Sequence, residues 1–202
     1  LNEQIRSFFN VIWALILREV LARHGRNRLG FFWSILEPVV HIAALAALFQ
    51  FIARIPPLGD NFFLFYFTGI APFLLMSRVA NEVGNSVIGN RNTLQIPHIS
   101  PLELALSKLF VEMFIMFVII LIFGGLFMLL GWATVPAQPE KILTSLLFAA
   151  IFGFGIGTFF ASATEFSRLS NTVSFALFRV LYLTGGIFFI PASIPQPYRD
   201  MA

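Results

Sequence analysis

The chain has no cysteine, which excludes a disulfide framework and any thiolate metal site. Lysine occurs only at Lys108 and Lys141, and neither stands in a G-x-x-x-x-G-K-[ST] context. A phosphate-cradling P-loop is therefore missing, and any coupling to ATP has to come through a partner chain. His24, His41 and His98 are scattered singly, without the clustered Asp, Glu or His that a membrane-boundary enzyme would need. Charge is scarce as well. Only 11% of the residues are charged and 58% are hydrophobic, whereas a soluble domain carries about 25% charged residues. Such a chain cannot cover itself in water, and its natural solvent is a bilayer. Residue 1 is Leu and no cleavable signal precedes the body, so the sequence reads as a fragment trimmed at both ends.

What is present is a series of apolar runs of about 20 residues, the length that a bilayer core of roughly 30 Å requires. They predict an all-α multi-pass membrane protein, one transmembrane domain over 1–202 with spans at 33–52, 62–80, 102–132, 142–163 and 172–190. Pro56 and Pro57 close the first span, and Pro136 and Pro139 mark the turn after the third. Pro191, Pro195 and Pro197 forbid regular continuation after the fifth. Residues 191–202 then read as a short re-entrant element at the outer face, since irregular backbone at membrane depth needs protein or a water-filled cavity beside it. A sixth span is expected to be missing.

Residues 1–28 read as an interfacial amphipathic helix. At about 100° per residue, Ile5, Phe8, Phe9, Ile12, Leu15, Ile16 and Val20 share a face. Gln4, Arg6, Ser7, Asn10 and Arg18 fall largely on the other, and a basic polar face opposite an apolar one suits a helix lying on the membrane. Glu19 interrupts the stripe, with Arg23 four residues on as a partner.

Charge sets the orientation. With the N-terminus inside, the inner segments hold Arg6, Arg18, Arg23, Arg26, Arg28, Arg78, Arg91, Lys108 and Arg168, and the outer ones only Arg54, Lys141 and Arg199. That asymmetry follows the positive-inside rule and makes the N-terminus cytoplasmic. At 26–41 the basic segment becomes a span within a few residues. Phe31, Phe32 and Trp33 suit the headgroup boundary, and Glu37, Pro38 and His41 bring polar chemistry and a helix irregularity into an apolar run. Ionisable residues at that depth are costly and point to function.

The segment REVLARHGRNRLGFFWSILEPVVH, residues 18–41, closely resembles the corresponding part of capsular-polysaccharide ABC exporter permeases, within the type-2 ABC exporter group. The likeness continues in SPLELALSKLFVE (100–112) and GIFFIPASIPQPYRD (186–200), and Glu37 before Pro38 with His41 after it looks like the capsule branch. The final span, with the Trp-Asn-Pro stretch expected before it, is absent. The resemblance implies an inner-membrane permease homodimer that pairs with a separate ATP-binding subunit. That partner would bind the ATP and Mg, and this chain would bind no cofactor. The cargo implied is an anionic, lipid-linked polysaccharide, passed on to periplasmic and outer-membrane components. No catalytic residue, metal site or nucleic-acid partner is expected.

Four groups of residues carry the functional expectations. Residues 81–101 form a polar, inward-facing segment in which Glu82, Asn85 and Arg91 are candidates for contact with the ATPase. Glu37 and His41, four apart, share a helical face. They are expected to hydrogen-bond each other or, with Trp33, to line the mouth of the substrate path. Phe175, Phe178, Arg179, Tyr182 and Phe189 make one face of the fifth span. Its rings could let sugar faces slide while Arg179 favours an anionic polymer, or the rings could meet lipid while Arg179 snorkels. Gly153, Gly157 and Ala161 repeat every four residues and suit close helix packing. The alternative closest to this reading is an O-antigen or teichoic-acid exporter. A proton-coupled carrier would lean on Glu112, but the internal repeats such carriers show are not apparent.

Overall fold

The computed structural model describes residues 2–24, 30–52, 61–97, 99–133, 138–166 and 169–185. Among them are seven helices and no strand: α1 (Asn2–His24), α2 (Gly30–Ile52), α3 (Phe62–Gly84), α4 (Ser86–Gly89), α5 (Pro101–Leu129), α6 (Pro139–Phe166) and α7 (Leu169–Thr184). The helices α2, α3, α5 and α6 are long and apolar enough to cross a membrane. The described α7 has 16 residues, about 24 Å at 1.5 Å per residue. The remainder of the fifth expected span lies outside the described residues, as do Arg26, Arg28, Phe189 and the expected re-entrant element at 191–202.

Local chemistry sets several helix ends. Asn61 caps α3, its side-chain oxygen accepting from the backbone N–H of Phe63 at 2.8 Å and of Leu64 at 3.3 Å. Ser100 opens α5 with a capping box. Its hydroxyl accepts from the Glu103 N–H, and the Glu103 carboxylate accepts from the Ser100 N–H at 2.7 Å, with Pro101 in the first turn. At the other end, Gly131 takes φ of +70°, a conformation a side chain would oppose. It closes α5 in a Schellman motif: Trp132 N–H donates to Phe127 O and Gly131 N–H to Met128 O. The Trp132 ring stacks on Phe127, the apolar contact that accompanies this cap.

Two features differ most from expectation. α3 runs on to Gly84 instead of ending near Ala80, so the polar segment begins inside a helix. The reason is burial: Val79, Ala80 and Val83 pack in the core, and their face continues the helix past the first polar residues. α1 also divides differently. Ile12 and Leu15 turn inward, while Phe9, Trp13, Leu17 and Leu21, spaced by four, are largely exposed and form a second apolar stripe. Glu19, which seemed to interrupt the inner stripe, is itself buried.

α3 is the central helix, packed against α2, α5 and α6. Tyr66, Ile70 and Val79 of α3 and Ile115 and Ile119 of α5 are almost fully buried. Contact between α3 and α6 is close because two glycines face α3. A Cβ on Gly153 would lie 2.4 Å from Met76 O, and one on Gly157 would lie 2.8 Å from Val83 Cβ and 2.9 Å from Ala80 O. Ala161, one turn further, is also buried. Gly153 and Gly157 therefore make a contact within one subunit.

Candidate functional site

The described residues bring two polar assemblies together, an open groove and a charge cluster. The groove lies between α3 and α7 and has a cavity volume of about 360 Å³. Phe73, Ser77 and Asn81 line it from α3, and Phe178, Arg179, Tyr182 and Leu183 from α7. Phe178 is buried, Tyr182 is half-buried against Phe73 at a ring separation of 5.3 Å, and Arg179 is exposed. Three of the residues singled out in the fifth span thus meet here. Phe175 lies on the same helix, but its side chain is outside the described residues.

The α2 residues do not bond to each other. Glu37 accepts from Arg78 Nη2 of α3 at 2.9 Å. His41 Nε2 and Tyr182 Oη of α7 are 2.7 Å apart. A shared helical face does bring the two side chains to one side of α2, but each reaches a different neighbour across a helix interface. These side chains link α2 to α3 and to α7, the second through Tyr182 of the groove wall. Trp33 is 61% exposed and does not line the groove.

The groove's surface can receive a sugar chain. Rings offer flat apolar faces to C–H groups, Asn81 and Ser77 offer hydrogen bonds to hydroxyls, and the planar guanidinium of Arg179 matches a carboxylate or phosphate. A second cavity, about 200 Å³ between α2, α3 and α5, is lined by Phe63, Phe67, Phe123, Phe127 and other apolar side chains. Hydroxyls buried there would lose water without gaining partners, so of the two cavities the α3–α7 groove is the one that offers polar groups.

The charge cluster joins α1, α3 and α5. Arg23 lies 3.1 Å from Glu19, 3.3 Å from Glu82 and 2.7 Å from Glu112. Lys108 lies 2.7 Å from Glu19 and 3.2 Å from Glu82. Glu112, Lys108 and Glu19 are 3%, 8% and 9% exposed, too buried to be screened like surface pairs. Burial by itself would raise the Glu19 carboxyl, but Lys108 and Arg23 outweigh it and hold the group below its ordinary value. For Arg23, burial works against the cation, and Glu112, Glu82 and Glu19 more than offset it, raising its pKa.

Sequence reasoning found only the Glu19–Arg23 pair of this cluster. Glu82 stood out for partner contact and Glu112 for proton transfer, yet both carboxylates turn to Arg23. A usable signal existed in Lys108 and Glu112, two ionisable residues one turn apart on a mostly apolar helix and beyond its capping Glu103, each needing a partner.

The segment after α3 is tied to α1 as well. Arg18 donates from Nη1 to Thr93 Oγ1 and from Nη2 to Asn90 Oδ1, the latter at 2.8 Å. Asn85 and Arg91 are exposed on this segment.

The ABC-2 type transporter family profile matches residues 10–202. The chain is 25% identical over 190 residues to the capsule polysaccharide export inner-membrane protein CtrC of Neisseria meningitidis serogroup A, covering 92% of this chain and 70% of CtrC. It is 28% identical over 203 positions to the polysialic acid transport protein KpsM of Escherichia coli, covering 96% and 76%. A shorter match, 31% identical over 96 residues, covers 46% of the chain and 35% of the O-antigen export system permease protein RfbA of Myxococcus xanthus.

Proposed function

The chain belongs to the ABC-2 type transporter family, and from that premise we propose that it is the permease subunit of an ATP-driven exporter of capsular polysaccharide in the bacterial inner membrane. The likeness to CtrC and KpsM over nearly the whole chain carries this reading. The α3–α7 groove supports it chemically, with Phe73, Phe178 and Tyr182 as sliding surfaces and Arg179 as the attraction for an anionic, lipid-linked polymer. His41 and Glu37 link the helices that border this path, and Phe175 belongs with it by its place on α7.

In this reading the N-terminus is cytoplasmic, α1 lies at the membrane surface through Phe9, Trp13, Leu17 and Leu21, and α7 begins a fifth span, with a sixth completing the domain. Two copies pair with separate ATP-binding subunits that carry ATP and Mg, and periplasmic and outer-membrane components receive the polymer. Asn85 and Arg91, exposed beyond α3, contact the ATP-binding subunit. The chain itself transports without catalysing a reaction.

Deletion of the chain tests the function. Surface polysaccharide is lost and polymer accumulates in the cytoplasm; intact surface polymer would refute the proposal. Arg179→Gln tests the path, lowering export at normal membrane abundance, whereas full export would assign Arg179 to the lipid boundary. The second reading, export of O-antigen, draws on the likeness to RfbA and is distinguished by which surface polymer disappears.

A further inference from the structure

We propose that Glu82 works inside the subunit. It is the α3 carboxylate of the cluster that fastens α1 to α3 and α5, and this cluster is the joint through which movement of the coupling segment reaches the spans. The proposal rests on the permease reading above and adds the residues that carry the motion.

The geometry begins with position. Glu82 lies in the last turn of α3, two residues before its end at Gly84, and the segment that follows begins at the exposed Asn85. A carboxylate there could face a partner, but its Oε2 is 3.2 Å from Lys108 Nζ and 3.3 Å from Arg23 Nη2. Each cation in the cluster then reaches two other helices. Arg23 of α1 holds Glu82 of α3 and Glu112 of α5, and Lys108 of α5 holds Glu19 of α1 and Glu82 of α3. Of the pairs in the cluster, only Glu19–Arg23 stays within one helix.

Two further observations make the cluster a joint. The segment that follows α3 is fixed covalently to Glu82's helix and is tied back to α1 by Arg18 through Asn90 and Thr93. It cannot shift without drawing on both α3 and α1. On α5, Lys108 and Glu112 share a face with Ile115 and Ile119, which are buried in the core against α3. The charged face therefore continues directly into close-packed apolar contacts. Glu82 is the cluster's member on α3: without its charge Lys108–Glu19 and Arg23–Glu112 still join α1 to α5, but α3 loses its tie to both. Packed helices joined in this way pass on displacement as units.

A double-mutant cycle tests the proposal. Glu82→Gln and Lys108→Gln are introduced singly and together into the full-length protein, expressed with its ATP-binding subunit. Surface polysaccharide is measured per unit of chain in the membrane. Each single change lowers export about tenfold, and the double change also about tenfold, not about a hundredfold, because either change breaks the same ion-pair network. Recovery of the ATP-binding subunit with Glu82→Gln stays at the unmutated level, and the complex hydrolyses ATP without matching export. Glu82→Asp, which keeps the charge, restores export, separating the charge from mere occupancy of the site. Multiplicative losses in the double variant, loss of the ATP-binding subunit from Glu82→Gln alone, or full export in both single variants would overturn the proposal. Failure of the permease reading itself shows differently, as surface polymer that survives deletion of the whole chain.

Discussion

Consider replacing Gly153 by alanine. Its new Cβ would lie 2.4 Å from Met76 O and 3.1 Å from Met76 C and Cα, all backbone atoms of α3. No rotamer change can relieve that contact. Ordinary van der Waals separation begins near 3.4 Å, so α6 and α3 must part by roughly 1 Å. Overpacking of this kind costs about 1–3 kcal/mol. Alanine also favours a helix over glycine by about 0.5–1 kcal/mol, which masks part of the loss. Gly155 supplies the control, because it lies on the same helix and a Cβ there meets nothing within 4 Å. Gly155→Ala has the helical gain without the clash, so the two variants differ by the overpacking term alone, about 1–3 kcal/mol. For a chain of this size each kcal/mol moves Tm by about 2–4 °C. Thermal unfolding in detergent, followed by the fluorescence of Trp13, Trp33 and Trp132, measures the difference. Gly153→Ala should melt several degrees below Gly155→Ala. Equal Tm values would refute the close approach of α3 and α6.

Tyr182→Phe removes the hydroxyl 2.7 Å from His41 Nε2 while keeping the ring on Phe73. It should cost about 0.5–1.5 kcal/mol of stability and reduce export at normal membrane abundance, read by surface polymer against immunoblot. Arg91→Glu, on the exposed coupling segment, should lower recovery of the ATP-binding subunit in co-purification without lowering the chain's membrane abundance. The Glu19 carboxyl is held below its ordinary 4.5, so its ion pairs stabilise α1 docking in full above that pH. That contribution is lost as pH falls through the lowered value. Limited proteolysis of α1 should therefore rise in acid below pH 4.5, and Glu19→Gln should remove that part of the rise.

Much of the frame could be read from composition. Apolar runs far longer than a strand, ended by Pro56, Pro136 or Pro191, leave little choice beyond membrane helices, and α2, α3, α5 and α6 follow those runs closely. Periodicity was less informative where a helix has two apolar sides. On α1 the sum over one face could not say which stripe packs on α5, and Trp13, Leu17 and Leu21 went unnoticed beside Ile12 and Leu15. The site was legible only as far as its members are neighbours on one helix. Glu19 and Arg23, four apart, were visible as a pair. Their partners at 82, 108 and 112 come from two other helices, and no local rule joins positions so distant in sequence. The same limit applied to Glu37 and His41. Sharing a face left a mutual bond or a lining of the path mouth open, and the partners found are Arg78 and Tyr182 on other helices.

The central claim is that this chain, with an ATP-binding subunit, passes capsular polysaccharide through the membrane. Inside-out vesicles containing the full-length protein and its ATP-binding partner test it directly, with radiolabelled capsular polymer added outside and a polymer-degrading enzyme added after the reaction. The account predicts label that is protected from the enzyme only when ATP and Mg are supplied, and reduced protection with Arg179→Gln. Protection without ATP, or none with the complete complex and ATP present, would contradict it.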